Sequence, residues 1–440
     1  MMIDETILVL AITDCRNHKL AKYPDVDCHC NLDFDKNITE PLKIVFANVI
    51  RYDFLKRYLE VGVKATNNKI LDIVREERPE YVLWPTYMYE IQEATFRAIR
   101  DGGAIVVGWF FDDEVRFDDY SKWWIPYLDY ILTTDKWSVD KYRKLGGNAI
   151  YSLNFSNPDY FRRLDSPKIY DVSFVGTNIA NRQELVDTLK KKGVLVRAFG
   201  SGWSSGYVSF DDMVKIYNQS KINLSFMQSY GNGSRPQMKC KIFDICMCGG
   251  FLLCEYIPGI EEFYEINKEI VCFRDIEEAA DKIDYYLKHE EERAAIAEAG
   301  WKRATSEHTN LIRLSNIFQK IENDIKKTKD DKNIINPKLS KMPRRIRKLH
   351  SNYHCSWGKA LLQENYKKLW KDELALAISY NPFNIEAWCL YIIGRFPPSA
   401  RPGLITLYDA IGTIKMSLLS RNFSLRKKAY QQLFYLRQKH

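Results

Sequence analysis

SRPQMKCKIFDICMCGGFLLCE, Ser234 to Glu255, joins a helical stretch, a Gly-Gly turn and an apolar run. The spacing predicts a helix over Gln237 to Met247, a stop at Gly249-Gly250 and a buried strand over Phe251 to Cys254. The same unit recurs on both sides. Upstream, strands are predicted at Asp171 to Val175, Val194 to Phe199 and Ile222 to Phe226. Helices at Asn181 to Lys192 and Phe210 to Gln219 alternate with them. Downstream, Ile270 to Phe273 and Ile276 to Leu287 continue the series. A strand–helix alternation of this kind builds a parallel sheet covered on both faces. The first 155 residues carry a second such series. Its strands are Glu5 to Ile12, Tyr81 to Pro85, Ala104 to Phe111, Tyr130 to Thr133 and Ala149 to Leu153, and its helices Ile91 to Arg100 and Ser138 to Leu145. Residues 13 to 50 show no clear period. Asn157-Pro158-Asp159 reads as the boundary between two lobes, and ligands of such sheets bind beyond the carboxyl ends of the strands.

The chain's 440 residues are 46% hydrophobic and 28% charged, which excludes wholesale disorder. No apolar run approaches the roughly 18–20 residues of a membrane span. Asp4 and Glu5 stand where a signal peptide would be basic, and ten cysteines are too dilute for a disulfide scaffold. A reduced, cytoplasmic protein is the expectation. Charge is uneven: Ile321 to His440 holds 23 Lys and Arg against 9 Asp and Glu, a net +14, and the rest of the chain is net −6. Lys341 to Lys348 packs five cations into eight residues. Residues 326 to 345 read as a polar, basic linker. Beyond it, helices are predicted at Tyr366 to Tyr380, Asn384 to Ile393 and Leu425 to Gln438. The basic region suits an anionic membrane surface, with Trp357 and Trp370 as interfacial anchors or as core residues of a helical domain. A solvated basic face with no partner is the plain alternative. Nucleic acid is not expected, because the main body is acidic and no recognition motif is present.

Several residues could carry chemistry. Arg235, Lys239 and Lys241 put three cations near one helix start, which suits a diphosphate. Asp244 on the same helix could accept both hydroxyls of a ribose diol, or simply pair with a lysine. Gly176-Thr177 follows a strand and precedes the helix that carries Arg182, a junction that offers backbone N–H groups to an anion. Gly249 and Gly250 form a close-packed turn beside it. Gly200-Ser201-Gly202-Trp203-Ser204-Ser205-Gly206 misses the dinucleotide fingerprint by one residue, and Ser209 with Asp212 resembles a helix cap. Asp112-Asp113-Glu114 follows the Ala104 to Phe111 strand, so a carboxylate there could act as a general base or merely start a helix. Cys28-His29-Cys30 and Cys246-Met247-Cys248 lack zinc-site spacing. Thr309 reads as a helix cap.

These pieces together resemble the CgeB-like, spore-maturation-type branch of the group-1 glycosyltransferases. The resemblance rests on Asp171 to Gly176, Tyr217 to Phe226, Lys241-Ile242-Phe243-Asp244 leading to Gly249 to Leu253, and Pro258 to Phe263. It continues through Glu291-Glu292-Arg293, Ile296 to Gly300 and His308-Thr309. Trp109 to Asp113, Asp135 and Asn157 to Phe161 match more loosely, and the chain beyond residue 330 falls outside it. The resemblance implies the GT-B architecture of two Rossmann-like parallel-sheet lobes facing a cleft, here with a C-terminal all-helical accessory region. It places the acceptor lobe at 1–156, the donor lobe at 157–308, a cross-over helix at 309–328, a basic linker at 329–350 and the helical region at 351–440. It implies a nucleotide-sugar substrate, no cofactor and no metal, and a glycan, lipid-linked or protein acceptor. Asp112, Asp113 and Lys241 become the catalytic candidates. Gly176, Thr177, Arg182, Arg235, Lys239, Asp244, Gly249 and Gly250 become the donor-binding ones. Asp244 stands where the wider group has a ribose-binding Glu. Pro236 stands where retaining relatives have a second Glu, so the resemblance leaves the anomeric outcome open. A sugar-nucleotide or glycan-binding protein without turnover is the alternative.

Overall fold

The computed structural model describes residues 2–12, 34–86, 90–153, 155–179, 181–206, 208–228, 236–328, 342–364, 366 and 369–409. The first lobe is a six-stranded sheet of β1 (Ile3–Ala11), β2 (Phe46–Asp53), β3 (Tyr81–Pro85), β4 (Ile105–Phe110), β5 (Tyr130–Thr133) and β6 (Ala149–Tyr151). The order is β2-β1-β3-β4-β5-β6, and every neighbouring pair is parallel. The central strands are near-continuous apolar runs because helices cover both faces. Those helices include α1 (Glu40–Val45), α2 (Phe54–Glu77), α3 (Glu93–Asp101), α4 (Asp113–Arg116) and α5 (Lys136–Lys144).

The second lobe's sheet comprises β7 (Tyr170–Val175), β8 (Val196–Phe199), β9 (Ser220–Ser225), β10 (Leu252–Glu255) and β11 (Val271–Phe273). Its order, β11-β10-β9-β7-β8, is also wholly parallel. Its helices are α6 (Arg182–Lys191), α7 (Phe210–Gln219), α8 (Lys241–Met247), α9 (Ile276–Lys288) and α10 (Glu290–Glu307). The winding reverses between β7 and β9. The crevice above their carboxyl ends is therefore the expected ligand site.

The chain crosses between lobes twice, and the crossings lie side by side. Ser156 N donates to His308 O (3.2 Å), and Asn310 N donates to Ser156 O (2.9 Å). Helix α11 (Asn310–Thr328) then returns to the first lobe. Phe318 packs edge-on against Phe46 and Tyr81 at 4.8 and 5.9 Å, and Tyr130 Oη donates to Asp324 Oδ2 (2.9 Å). Two Rossmann-like lobes closed by a returning helix make the expected GT-B architecture the observed one.

The C-terminal helices are α12 (Arg344–Gln363), α13 (Trp370–Tyr380), α14 (Ile385–Ile393) and a last one over 401–409. They share the first lobe's core. Trp357 is fully buried, edge-on to Tyr58 of α2 at 5.0 Å. Tyr353 Oη donates to Glu90 (2.6 Å) and Tyr380 Oη to Glu93 (2.7 Å). Gly62, at φ +80, breaks α2, and a Cβ there would lie 3.2 Å from Leu369 Cδ2. Trp370 is also buried, so both tryptophans serve packing and neither is an interfacial anchor. The basic run from Arg344 to Lys348 is the start of α12 rather than linker, and the helix expected from Tyr366 begins at Trp370. Leu425 to Gln438 and Cys28-His29-Cys30 lie outside the described residues. No helix among the described residues is long and apolar enough to cross a membrane.

Candidate functional site

Strands β7 and β8 end side by side at Val175 and Phe199, and the loops that follow brace each other. Gly176 N donates to Phe199 O (2.8 Å), Asn178 N to Ser201 O (2.8 Å) and Trp203 Nε1 to Gly176 O (2.8 Å). Gly200, at φ +123, lies so close that a Cβ would come within 2.6 Å of Gly176 O. The glycine-rich 200–206 loop thus holds the Gly176-Thr177 turn in place. Arg182, 4% exposed, ties this turn to the next: its guanidinium donates to Thr177 O (2.8 Å) and Gln228 O (2.9 Å). Glu255, at the end of β10, accepts from Met227 N (2.8 Å) and Gln228 Nε2 (2.7 Å). The ends of β7, β8, β9 and β10 are locked into one rim, and Arg182 is part of the lock.

Two lysines reach this rim from the loop and helix after β9. Lys241 Nζ donates to Val175 O (2.7 Å), lies 4.8 Å from the Phe174 ring and would touch any Cβ placed on Gly176. Burial, with the charges of Arg182 and Lys239 adding to it, pushes its ammonium down to about 7. A cation held deprotonation-prone at the end of β7 gains most from an arriving anion. Lys239 is also lowered by burial, while Glu114 and Asp112 oppose the shift, and its Nζ donates to Gln237 Oε1. Arg235 lies outside the described residues.

Asp244 occupies the next turn of α8 and is 7% exposed. Burial raises its carboxyl to about 8, against the Ser156 hydroxyl and the Lys241 charge, which lower it. It therefore faces the inter-lobe crossing. Gly249 and Gly250 leave the donor-site list. They follow α8 and precede β10, so they sit at the amino end of the sheet, away from the rim. A Cβ on Gly249 would come within 2.4 Å of Arg163 Nε, and one on Gly250 within 2.7 Å of Asn223 Nδ2. Their compactness serves packing.

The first lobe faces these lysines with the segment after β4. Asp112 is exposed, at φ 58, and its Oδ1 accepts from Gln237 Nε2 (3.1 Å). Glu114 Oε2 accepts from the same amide (3.0 Å). Gln237 thus bridges the lobes, and Asp112, Glu114 and Lys239 gather around it. Asp113 turns the other way. It is fully buried, and its Oδ2 accepts from Thr133 Oγ1 (2.5 Å) and Tyr142 Oη (2.9 Å). Burial raises it to about 6. The structure corrects its candidacy as acceptor base: it fastens α4 to β5 and α5 inside the lobe. Sequence reasoning passed over Gln237, a neutral amide whose value lies in what the other lobe presents to it. Among the described residues no cluster of three or more His, Cys, Asp or Glu is placed to hold a metal ion.

The chain is similar to several known proteins. A glycosyl transferase-like family matches residues 182–319, which begin just after the Gly176-Thr177 turn and take in Arg182, the loop after β8, both lysines, Asp244 and the start of α11. The spore protein CgeB of Bacillus subtilis is 22% identical over 228 residues, covering 46% of this chain and 70% of its own. Among solved structures, Anabaena HepE in complex with UDP and glucose has a TM-score of 0.48 at 12% identity, covering 72% of this chain and 100% of its own. Sucrose-phosphate synthase from Thermosynechococcus elongatus has a TM-score of 0.49 at 8% identity, covering 73% and 100%.

Proposed function

We propose that this protein, whose residues 182–319 match a glycosyl transferase-like family, is an enzyme that moves a sugar from a nucleoside diphosphate donor to an acceptor hydroxyl. The observation that carries the reading is Lys241, its ammonium on the carbonyl that ends β7 and beside Gly176. In the proposed step the acceptor oxygen forms a bond to the anomeric carbon. The bond from that carbon to the diphosphate breaks, and its electron pair stays on the diphosphate oxygen. Lys241 and Lys239 neutralise the charge that develops there, which is the electrostatic route to a lower barrier. Asp112, across the cleft on Gln237, takes the acceptor proton. Asp244 is assigned to the ribose hydroxyls.

UDP-linked sugars are the first donors to test, since UDP stands in the name of the HepE complex. A glycan, lipid-linked or protein acceptor fits the reading, within surface polysaccharide or glycoconjugate synthesis. A cytoplasmic site of action fits the seven described cysteines, all free thiols. A donor panel assayed for transfer and for hydrolysis tests the proposal. Lys241→Ala is expected to lower turnover roughly ten- to a thousand-fold, the range for loss of one charge-stabilising group. Donor binding without product for every acceptor would instead favour a binding protein of the same fold.

A further inference from the structure

Helix α14 reads IEAWCLYII, and Glu386 is its single charged residue. Ala387 and Leu390 face inward and are fully buried. A helix with one face in a core ordinarily turns polar side chains outward. Here the outward positions are Ile385, Trp388 and Ile392, exposed by 73%, 45% and 55%. Phe383 in the preceding turn is 76% exposed, and Phe396 just beyond the helix is 47% exposed. Glu386 does not break this face, because it turns toward Lys359 at 3.6 Å.

The surface is fixed rather than loosely hung. Asn384 caps α14 by accepting from Ala387 N (3.0 Å) and donates to Ser351 Oγ (2.8 Å) of α12. Ser351 Oγ in turn donates to Ala377 O (2.6 Å) of α13. Trp388 Nε1 donates to Pro382 O (2.9 Å), so its indole presents carbon outward. Basic residues border the patch. The start of α12 exposes Arg344, Arg345, Arg347 and Lys348, and the Arg344 guanidinium lies 5.6 Å from the Phe383 ring centre. Arg345 pairs with Asp119 at 2.8 Å, and Arg395 follows α14.

We propose that this surface, Phe383, Ile385, Trp388 and Ile392 edged by the cations of α12, docks on an anionic lipid bilayer. The chemistry selects that occupant. Large apolar side chains next to exposed Arg and Lys match acyl chains below anionic headgroups. A polyanion such as nucleic acid has no use for four exposed aliphatic and aromatic groups. The inference stands apart from the donor site and does not rest on sugar transfer. The same helices hold Glu90 and Glu93, between the carboxyl end of β3 and α3, so docking sets the first lobe at the bilayer.

Co-sedimentation of the full chain with vesicles tests this, comparing phosphatidylcholine alone with phosphatidylcholine mixed with phosphatidylglycerol. Wild type is expected to bind the anionic vesicles at low salt and to release as salt screens the attraction. The triple variant Phe383→Ser/Ile385→Ser/Trp388→Ser changes exposed side chains, and an unchanged melting curve checks its fold. It is expected to bind roughly ten-fold or more weakly, from the loss of apolar insertion. Arg344→Glu/Arg347→Glu is expected to weaken binding to anionic vesicles and not to neutral ones. Three outcomes overturn the proposal. Wild type found in the supernatant at every salt concentration would show that there is no lipid docking. The triple variant bound as tightly as wild type would mean that cations elsewhere suffice. A wild-type dimer that the triple variant dissociates, with no lipid binding by either, would show that the occupant is a second copy of the chain.

Discussion

Lys241 and Asp244 lie one turn apart on α8, and burial pushes each toward its neutral form, to about 7 and about 8. For Asp244 the folded value lies above the roughly 3.9 of an unfolded chain. Between about pH 4 and 8 the folded state holds a proton that the unfolded state has lost, so stability falls as pH rises. Asp244→Asn removes this titration. The variant is expected to melt higher than wild type at pH 7 and to show a flatter stability profile between about pH 4 and 7, below the Lys241 window. Parallel slopes for the two proteins would mean that Asp244 is ionised in the fold. Asp244→Ala is expected to bind nucleoside diphosphate about 1–3 kcal/mol more weakly, through loss of a buried acceptor. Unchanged affinity in calorimetry would remove Asp244 from the ribose and leave it at the crossing. Lys241 has the opposite sign toward ligand. Above about pH 7 it is largely neutral when free, and a bound diphosphate favours its charged form. Donor affinity is therefore expected to fall as pH rises past 7, with uptake of a proton. In the Asp244→Asn background, calorimetry in two buffers of different ionisation heat reads that proton. It should vanish in Lys241→Arg, whose guanidinium stays charged.

At the scale of loops and helices, the rim depends on how tightly the turn after β8 presses on the turn after β7. Gly200→Ala forces a Cβ to within 2.6 Å of Gly176 O at a φ of +123, so the Gly176-Thr177 turn must shift. Nucleotide affinity is expected to drop about ten-fold, roughly 1.4 kcal/mol, with the second lobe still folded by circular dichroism. Wild-type affinity would show that the turn does not touch the donor. Strands β3, β4 and β5 were legible from their apolar runs, β7 from Val172 and Phe174 alternating with Asp171 and Ser173, and α7 because Ser209 Oγ accepts from Asp212 N (3.1 Å) at its start. The 24-residue α2 has a similar cap, Asp53 Oδ1 accepting from Lys56 N (2.9 Å), but its apolar period is interrupted. Gly62 breaks it, and its buried face includes Thr66 and Asn67, whose amide donates to Val63 O (2.8 Å) and Glu90 O (2.9 Å). Hydrophobic periodicity does not register a buried amide. Strand β2 hid for a related reason: as an edge strand it exposes Ala47 and Asn48. Gly249 and Gly250 were misplaced although chain order held the answer. A glycine turn between a helix and the strand that follows lies at the strand's amino end, and ligands of such sheets gather at the other. Asp112 and Asp113 are neighbours with opposite fates because Asp112 takes a left-handed φ of 58 just before α4 begins, and no residue pattern announces that turn.

Across the whole molecule, the site exists only where the lobes meet. The paired crossings at Ser156 and Thr309 join the lobes, and Asn157 and Asn310 both donate to Lys36 O, at 3.1 and 3.2 Å. Lys136 of the first lobe also pairs with Glu262 of the second. The contact inside the cleft is Gln237, whose amide serves Asp112 and Glu114 together. A hydrogen bond to a charged acceptor is worth about 1.5–3 kcal/mol when little solvent competes, and less at an open cleft. Gln237→Ala is therefore expected to shift the molecule toward a more open arrangement, seen as a larger radius of gyration in small-angle scattering. It is also expected to raise the donor KM several-fold. Gln237→Glu is the sharper test, because it sets a third carboxylate against two. Repulsion should open the lobes further than the alanine does at neutral pH. Salt should reverse part of that excess by screening, and acidification below the carboxylate range should remove it. Equal radii for wild type and both variants would mean that the lobes are held by the crossings and α11 alone. Asp112, the proposed acceptor base, would then be set in place without any help from the second lobe.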